Sequence, residues 1–239
     1  MSNEMGPVTM LASRMWHAFT CGVLPPECLL CGARAGDSLL CEACAAGLPR
    51  LPTACPVCAA PSPAASVCGA CLAAPPAFDA TIAVWPYAFP IDRLVQALKY
   101  QGNLPVARLF GAALATRTAA RVVDVIVPMP LSRERLKTRG FNQAMEIARA
   151  AAPREAIETD SIVRVRDTPS QTGLPYVERA HNVKSAFACR RKLDGLRAAV
   201  VDDVVTTGAS LAELARTLKR AGAVSVENWV VARTLPRDV

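Results

Sequence analysis

The spacing of apolar residues divides the chain into two parts. From Ala80 onward, short apolar runs typical of buried strands alternate with segments in which apolar residues recur at helical spacing. The clearest helical segment is Ile91–Tyr100, whose apolar residues follow the i, i+3, i+4, i+7 pattern: Ile91, Leu94, Val95 and Leu98. Before Phe78 this alternation is missing, and cysteine and proline are frequent instead. We therefore expect alternating strands and helices in the second part but not in the first.

The second part is predicted to form a sheet covered by helices. Strands are predicted at Ala80–Tyr87, Asp124–Val127, Ile162–Val165, Ala198–Val201 and Val224–Ala232. Helices are predicted at Ile91–Tyr100, Leu104–Ala120, Asn142–Ala151 and Ser210–Arg220, and a turn is predicted at Asp202–Gly208. Strands that alternate with helices pair mostly in parallel, and the helices cover both faces of the sheet. We therefore predict an α/β fold of the doubly wound type.

Composition excludes a disordered chain, and charge separates the two parts further. Of the 239 residues, 52% are apolar, which is enough to form a core. The 27 basic and 20 acidic residues give a net charge of +7. Up to Phe78 there are three basic and four acidic residues, net −1, whereas the remainder has 24 against 16, net +8. The basic character therefore belongs entirely to the second part.

Eight of the ten cysteines form an internal repeat. Four Cys-x-x-Cys pairs follow one another, and a shift of 27 residues maps the first two pairs onto the last two. The repeated cysteines are Cys28, Cys31, Cys41, Cys44, Cys55, Cys58, Cys68 and Cys71. Each half of the repeat contains four thiols, the ligand set of a tetrahedral structural Zn²⁺ site. We predict two structural zinc sites, built either from consecutive or from interleaved pairs.

Disulfides or redox-active dithiols are the alternative interpretation of these pairs. No secretion signal is visible in the sequence, because Glu4 stands where a basic segment is needed and Arg14 and His17 interrupt the apolar run that follows. We therefore expect a cytoplasmic, reducing environment, which favours zinc.

The uncharged segment Leu51–Phe78 is not expected to span a membrane. It contains six prolines and four cysteines, and a helix in a bilayer must satisfy its backbone hydrogen bonds internally. The predicted organisation is an N-terminal helix or tail at 1–24, a double zinc ribbon at 25–76 and the α/β domain at 77–239.

An acidic pair followed by a hydroxyl-rich loop is the strongest candidate ligand site. Asp202 and Asp203 follow an apolar strand, and a helix is predicted to begin at Ser210. Open α/β sheets bind ligands at the carboxyl ends of their strands, and a helix N-terminus offers unpaired N–H groups to an anion. Two carboxylates suit the vicinal hydroxyls of a ribose, directly or through a divalent cation. The alternative is an ordinary helix N-cap with turn-forming acids. The predicted phosphate loop consists of Thr206, Thr207, Gly208, Ala209 and Ser210.

The run Asp202–Ser210 resembles the phosphoribosyl-pyrophosphate (PRPP) motif of type I phosphoribosyltransferases. Other segments resemble the ComF family of competence-associated, phosphoribosyltransferase-like proteins: Leu24–Gly32, Leu98–Tyr100, Pro128–Leu131, Arg139–Gln143 and Gln171–Leu174. This resemblance implies a type I phosphoribosyltransferase-like sheet preceded by a small zinc-ribbon domain. It also implies PRPP or a similar ribose 5-phosphate ligand, Mg²⁺ as a cofactor, and catalytic roles for Asp202 and Asp203.

Basic residues after the second predicted strand are expected to lie in a loop. The loop has a net charge of +3 from Arg133, Glu134, Arg135, Lys137 and Arg139. In phosphoribosyltransferases the corresponding loop binds pyrophosphate, and guanidinium groups suit its oxygens. The resemblance therefore implies ligand-binding roles for Arg133 and Arg135 and a catalytic role for Arg139. A solvated charged turn is the alternative.

Two functions are compatible with these features. The first is an enzyme that binds PRPP with Mg²⁺ while a nitrogen nucleophile displaces pyrophosphate from C1 of the ribose. The second, implied by the ComF resemblance, is a non-catalytic accessory protein of DNA uptake. Its basic face would bind single-stranded DNA, and its zinc region would contact an ATPase or helicase. In either case Tyr176 and Arg179 are expected in a mobile loop that closes over the ligand.

Overall fold

A computed structural model of the chain describes residues 27–35, 39–166 and 183–235. The predicted N-terminal helix or tail at 1–24 and the predicted mobile loop around Tyr176 and Arg179 lie outside the described residues. The described residues form two compact units, within the ranges 1–48 and 49–239. The predicted domain boundaries at 24 and 76 remain predictions from the sequence repeat.

A four-stranded parallel sheet is the centre of the larger unit. Its strands are β1 (Ala80–Pro86), β2 (Val125–Pro128), β5 (Arg197–Val205) and β6 (Ser225–Arg233). They lie in the order β1-β6-β5-β2, and every neighbouring pair is parallel. Because parallel strands share one direction, the ends of β5 and β6 meet at the same edge, where Val205 pairs with Arg233. The prediction of an α/β fold with a parallel sheet is confirmed.

Helices flank this sheet, and one further short helix lies in the smaller unit. The helices are α1 (Glu42–Ala46), α2 (Gly69–Ala73), α3 (Ile91–Gln101), α4 (Leu104–Thr118), α5 (Arg133–Arg139), α6 (Gln143–Ala151) and α7 (Ala209–Arg220), with 3₁₀ turns at Pro63–Ala65 and Arg154–Ala156. Helix α7 packs on β5 and β6, and α6 packs on β2 and β5. Four consecutive residues of β5, Ala198 to Val201, are fully buried. Because successive side chains point to opposite faces of a strand, both faces of β5 are covered.

The third predicted strand belongs to a different sheet. β3 (Ile162–Arg164) pairs antiparallel with β4 (Phe187–Cys189), a strand that the sequence pattern did not predict. β4 is only three residues long, which is too short for an apolar alternation to be recognised.

The basic segment Arg133–Arg139 is a helix and not the loop that was predicted. Ser132 caps the start of α5 by accepting a hydrogen bond from the backbone N–H of Arg135 at 3.3 Å. Gly140 ends the helix with φ of 78°, a left-handed conformation that glycine adopts without strain. These local signals at both ends were present in the sequence and outweigh the charge repulsion within the segment.

The second half of the cysteine repeat lies in the larger unit, together with the sheet. The backbone N–H of Thr81 in β1 donates to the carbonyl of Pro56 at 3.1 Å. Ala59 is 2% exposed and belongs to the same core as Phe78 and Val205. The ribbon segment after Leu51 therefore shares the hydrophobic core of the sheet.

No helix in the described part of the chain is both long enough and apolar enough to cross a bilayer.

Candidate functional site

The acidic pair, Asp202 and Asp203, lies near the C-terminal end of strand β5. The predicted turn Asp202–Gly208 is corrected here, because β5 continues to Val205 and only Thr206 to Gly208 form the turn. Strand pairing explains the extension, since Asp202 and Val204 are in register with Val230 and Ala232 of β6. Both carboxylates are therefore held by a regular ladder at the carboxyl edge of the sheet.

Asp203 forms an ion pair with Lys99 of α3. The Lys99 Nζ lies 2.8 Å from the Asp203 Oδ1, and Asp203 is 7% exposed. Burial by itself lowers the pKa of Lys99, but the charge of Asp203 and the hydrogen bond to it outweigh burial and raise this pKa above its ordinary value. The lysine therefore carries its charge at neutral pH and compensates the buried Asp203.

The neighbouring Asp202 has a different electrostatic environment. Burial raises the pKa of Asp202 to about 7, and the charge of Asp203 acts in the same direction. Lys99 and, more weakly, Arg164 oppose this rise. The pKa of Asp202 thus lies near neutral pH without a ligand, and an added cation at this edge would favour the ionised form.

The turn after the acidic pair leads directly into helix α7. Gly208 is the N-cap with φ of 78°, and a Cβ atom there would lie 3.6 Å from the Phe78 ring. The backbone N–H of Ala209 donates to the Thr207 Oγ1 at 3.3 Å. The N-cap residue itself has no side chain that could accept a hydrogen bond from the first turn of α7. This first turn therefore has the N–H groups and the positive dipole end that bind phosphate in other α/β proteins.

Arg139 at the end of α5 lies near this edge of the sheet. Its guanidinium carbon is 5.8 Å from the centroid of the Tyr100 ring, and its Nη1 donates to the Gln143 Oε1 at 3.1 Å. Its charge also acts on Lys99, the partner of Asp203. The structure therefore brings Arg139 together with the acidic pair. The other two predicted arginines, Arg133 and Arg135, lie in the first turn of α5, and their ligand-binding role remains a prediction.

The loop after β2 is fixed next to the acidic pair. The Met129 N–H donates to the carbonyl of Val201 at 2.8 Å, and the Asn142 Nδ2 donates to the carbonyl of Met129 at 3.1 Å. The Asn142 Oδ1 also accepts a hydrogen bond from the Ala144 N–H at the start of α6. One asparagine thus connects the loop after β2 to the helix that follows it.

Lys99 and Tyr100 are site residues to which sequence reasoning assigned no role. Helical spacing identified the helix but not which polar residues of its last turn face the sheet edge. Their place in the ComF-like segment Leu98–Tyr100 was the only signal available. Tyr100 is 74% exposed, so its ring is accessible beside Arg139.

The eight repeated cysteines form two separate clusters, which we name the first tetrad (Cys28, Cys31, Cys41, Cys44) and the second tetrad (Cys55, Cys58, Cys68, Cys71). Within each tetrad all sulfur atoms lie within 4.8 Å of one another. The pairing is therefore consecutive and not interleaved, which the sequence alone left open.

The spacing of the sulfur atoms fits a tetrahedral metal site. The Sγ atoms of Cys31 and Cys41 are 3.7 Å apart, and those of Cys58 and Cys68 are 3.6 Å apart. Four thiolates at about 2.3 Å from a zinc ion form a tetrahedron with an edge of about 3.8 Å. All four ligands are thiols in both tetrads, so the donor set is that of a structural zinc site.

In each tetrad, backbone hydrogen bonds lower the pKa of one thiol, that of Cys28 in the first tetrad and that of Cys55 in the second. Burial raises the pKa of Cys28 and Cys55, but hydrogen bonds from backbone N–H groups outweigh burial and lower these pKa values to about 6 and about 7. In the second tetrad the Cys68 N–H donates to the Cys55 Sγ at 3.4 Å. Each tetrad therefore presents a thiolate to an incoming metal ion near neutral pH.

Similarity to known proteins covers both parts of the chain. A family model described as a double zinc ribbon domain matches residues 20–72. DNA utilization protein YhgH of Salmonella typhimurium is 35% identical over 170 residues, which cover 67% of this chain and 75% of that protein. Competence protein F of Haemophilus influenzae is 31% identical over 170 residues, covering 66% of this chain and 74% of that protein. Competence protein ComFC of Bacillus subtilis is 27% identical over 159 residues, covering 64% of this chain and 63% of that protein.

A solved structure of an allosteric regulatory enzyme of purine biosynthesis aligns with 52% of this chain and 25% of its own chain. The TM-score is 0.33 and the sequence identity is 21%. Similarity at that level carries no argument, and the fold rests on the parallel strand order described above.

Proposed function

This chain belongs to the ComF family, and from that membership and the geometry of the site we propose that it is a phosphoribosyltransferase-like protein that binds PRPP, or a related ribose phosphate, with Mg²⁺. The relatives are named for DNA utilization and competence. We therefore place its activity in the cytoplasmic handling of DNA or nucleotides.

The main observation in support of this proposal is that carboxylates and helix N–H groups follow one another closely at the C-terminal end of β5. Two carboxylates, Asp202 and Asp203, lie near the end of β5, which is followed by a three-residue turn and then by the first turn of α7 with glycine at its N-cap. Carboxylates accept hydrogen bonds from the vicinal hydroxyls of a ribose, and helix N–H groups donate to its 5-phosphate. The two ends of a phosphorylated ribose are thus matched by adjacent groups.

The proposed reaction is a substitution at C1 of the ribose. A nitrogen nucleophile forms a bond to C1 while the bond from C1 to the pyrophosphate oxygen breaks, and pyrophosphate leaves with both bonding electrons. Positive charge develops on the ribose and negative charge on the leaving group. Asp202 and Asp203 would hold and stabilise the ribose, and Lys99 and Arg139 are the cations positioned to stabilise pyrophosphate.

Mg²⁺, when bound, would compensate the negative charge that develops on the leaving pyrophosphate. The carboxylate oxygens of Asp202 and Asp203 are hard ligands of the kind that Mg²⁺ prefers. The raised pKa of Asp202 fits such a role, because a divalent cation favours the ionised carboxylate.

Titration calorimetry with PRPP and Mg²⁺ tests the proposal. We expect the wild-type chain to bind, and the double variant Asp202→Asn/Asp203→Asn to lose at least about 100-fold in affinity, since two charge-assisted contacts are removed. The matched control is Asp124→Asn, which removes a carboxylate at the opposite end of the sheet, where it pairs with Arg197. Equal binding by the wild type and the double variant, or no binding by either, would contradict the proposal.

A second candidate function is single-stranded DNA binding in the uptake machinery, with an ATPase or helicase as the protein partner. The exposed Tyr100 ring beside Arg139 favours it, because aromatic rings next to basic groups stack on unpaired bases. We expect an oligonucleotide to bind with an affinity that falls steeply as salt rises, and Tyr100→Ala to weaken binding about tenfold. If Tyr100→Ala binds DNA like the wild type, this surface is not the DNA site.

A further inference from the structure

Arg233, the last residue of β6, contacts the start of the predicted phosphate loop. Its Nη1 donates to the carbonyl of Val205 at 3.2 Å and also to the carbonyl of Thr206. The backbone on either side is fixed as well, because the Thr234 N–H donates to the same Val205 carbonyl at 3.0 Å. A single guanidinium therefore holds the two carbonyls at which β5 ends and the loop begins.

The second tetrad lies close to the same end of β5, because Cys58 packs against the core that contains Val205, the residue whose carbonyl the guanidinium binds. Burial lowers the pKa of Arg233, whereas the charges of Cys58, Cys68, Cys71 and Cys55 raise it, so all four sulfur atoms are near enough to act on the arginine. The Nε of Arg233 is buried and has no hydrogen-bond partner among the described residues. Four thiolates on a zinc ion have a net charge of about −2, which suits a partly buried guanidinium whose Nε–H has no other partner among the described residues.

Packing connects the same two regions. Ala59, between the two cysteine pairs of the second tetrad, shares a core with Phe78 and Val205. The Phe78 ring lies under Gly208, 3.6 Å from the position that a Cβ would occupy. Apolar contacts thus run from the second ribbon to the loop beside the Arg233 hydrogen bonds.

We propose that Arg233 is a positioning residue that couples the zinc-bound second tetrad to the phosphate loop, so that metal in this ribbon holds the loop in its ligand-binding conformation. The first tetrad lies in the other compact unit and serves as the control for this coupling. The proposal rests on the proposed function in one respect, namely that the loop binds a phosphate. The other part of the proposal, that zinc in the second tetrad holds the loop in place by acting on Arg233, does not depend on which ligand binds.

Backbone amide exchange measured by NMR on the full-length, zinc-loaded chain tests the coupling directly. The reporters are the Thr234 N–H, which donates to Val205, and the Ala212 N–H, which donates to the carbonyl of Gly208. We expect both amides to exchange about tenfold faster or more in Arg233→Gln and in Cys58→Ser/Cys68→Ser, since one charge-assisted hydrogen bond is worth about that factor. Cys31→Ser/Cys41→Ser and the surface variant Arg149→Gln should match the wild type. Unchanged exchange in Arg233→Gln would overturn the proposal, and this variant keeps all eight thiols if the cysteine variant does not fold.

The absorption spectrum of Co²⁺ bound to the second tetrad distinguishes an effect of Arg233 on the metal site from a general loss of stability. In the Cys31→Ser/Cys41→Ser background, Co²⁺ loads the second tetrad alone, and its thiolate-to-metal charge-transfer band reports nearby charge. We expect Arg233→Gln to move this band to longer wavelength and Arg233→Lys to restore its position, because only the charge is needed near the thiolates. Arg233→Lys should not restore slow amide exchange, because one ammonium group does not reproduce the planar fork. A band at the same wavelength in all three proteins would contradict the proposed coupling between Arg233 and the tetrad.

PRPP binding by the same variants distinguishes the two proposals. If the wild type binds PRPP, Arg233→Gln and Cys58→Ser/Cys68→Ser should bind about tenfold more weakly, and Cys31→Ser/Cys41→Ser should bind normally. If no protein binds PRPP but the amide exchange differs as expected, the proposed function is wrong and the coupling stands. If PRPP binds equally well to all of them and the amide exchange is unchanged, the coupling is wrong and the proposed function stands.

Discussion

The acidic pair shows how two identical residues in sequence acquire different properties from their neighbours. Asp203 is buried but compensated by Lys99 at 2.8 Å, whereas the pKa of Asp202 is raised to about 7 by burial and by the adjacent charge. A carboxyl group whose pKa is raised towards neutral pH in the folded state makes folding stability depend on pH between its ordinary and its raised pKa.

The raised pKa predicts the pH dependence of the Asp202→Asn variant. The ordinary pKa of 3.8 applies to the unfolded chain, so the folded state binds the proton more tightly. The resulting stabilisation is complete below 3.8 and is lost as the pH rises through about 7. Asparagine does not ionise, so the wild type should lose stability relative to the variant between pH 5.5 and 8.5, by at most about 1.4 kcal/mol per pH unit. Thermal unfolding at both pH values measures this difference.

Asp124→Asn is the control for this prediction. The hydrogen bond from Arg197 lowers the pKa of Asp124 to about 2, so this residue stays ionised throughout the window. The difference between the wild type and Asp124→Asn should therefore be constant from pH 5.5 to 8.5. If Asp202→Asn behaves in the same way, Asp202 is ionised in the ligand-free protein.

The Lys99–Asp203 pair predicts a large cost for removing only one partner. Lys99→Met should lower the free energy of unfolding by about 3 kcal/mol, because it leaves a buried carboxylate without a counter-charge. Lys99→Met/Asp203→Asn should recover most of the loss. Urea unfolding measures both, and Arg149→Met serves as the control, since its exposed pair with Glu146 should be worth less than about 1 kcal/mol. Equal losses in the single and double variants would show that the pair is not the cause.

At the scale of secondary-structure elements, a close contact between helices α4 and α6 helps to position the loop beside the acidic pair. Gly111 of α4 faces α6, and a Cβ there would lie 2.4 Å from the Ala150 Cβ and 2.8 Å from the carbonyl oxygen of Ile147. Such distances leave no space for a methyl group. Because α6 begins at Gln143, next to the Asn142 bridge to the loop after β2, this packing also fixes the loop beside the acidic pair.

Gly111→Ala should therefore destabilise the protein, although alanine is the better helix former. We expect a loss of about 1–3 kcal/mol, since the two helices must separate to admit the methyl group. The matched control is Gly69→Ala in α2, where nothing lies within 4 Å of the added Cβ and the change should be neutral or slightly stabilising. Urea unfolding of both variants provides the comparison. A stabilised Gly111→Ala would mean that α4 and α6 are not in close contact.

At the scale of the whole molecule, the two halves of one sequence repeat lie in different compact units. The first tetrad lies within residues 1–48, and the second shares the core of the sheet through Ala59. The two halves of a duplicated segment thus belong to different compact units, and the second half is part of the unit that contains the sheet.

Because each zinc site is built from two consecutive Cys-x-x-Cys pairs, the zinc content of the variant Cys31→Ser/Cys41→Ser can be predicted. The wild type should contain two zinc ions per chain, and Cys31→Ser/Cys41→Ser should contain one, because both substitutions fall within the first tetrad. In an interleaved arrangement the same two substitutions would damage both sites, and no zinc would remain. Metal analysis of the purified proteins by mass spectrometry distinguishes these cases, and Cys189→Ser, outside both tetrads, should retain two zinc ions.

Local sequence determined those features that depend on near neighbours. Helical spacing predicted α3, α4, α6 and α7 to within about two residues, and apolar runs predicted the four strands of the main sheet. The Cys-x-x-Cys spacing predicted the ligand type, and the order of acids, hydroxyls and glycine predicted a ligand loop. Each of these signals lies within roughly ten residues of the feature it predicts, where the backbone period or a tight turn sets the geometry.

Only the tertiary structure decided which distant groups meet. It paired Lys99 with Asp203, placed β3 against β4 in a separate sheet, made the cysteine pairs consecutive, and brought Arg233 to the loop that follows β5. It also showed that Arg133–Arg139 is a helix, because capping at Ser132 and Gly140 outweighs the like charges. Contacts between residues far apart in sequence depend on strand order and core packing, and these are properties of the whole chain that no local pattern contains.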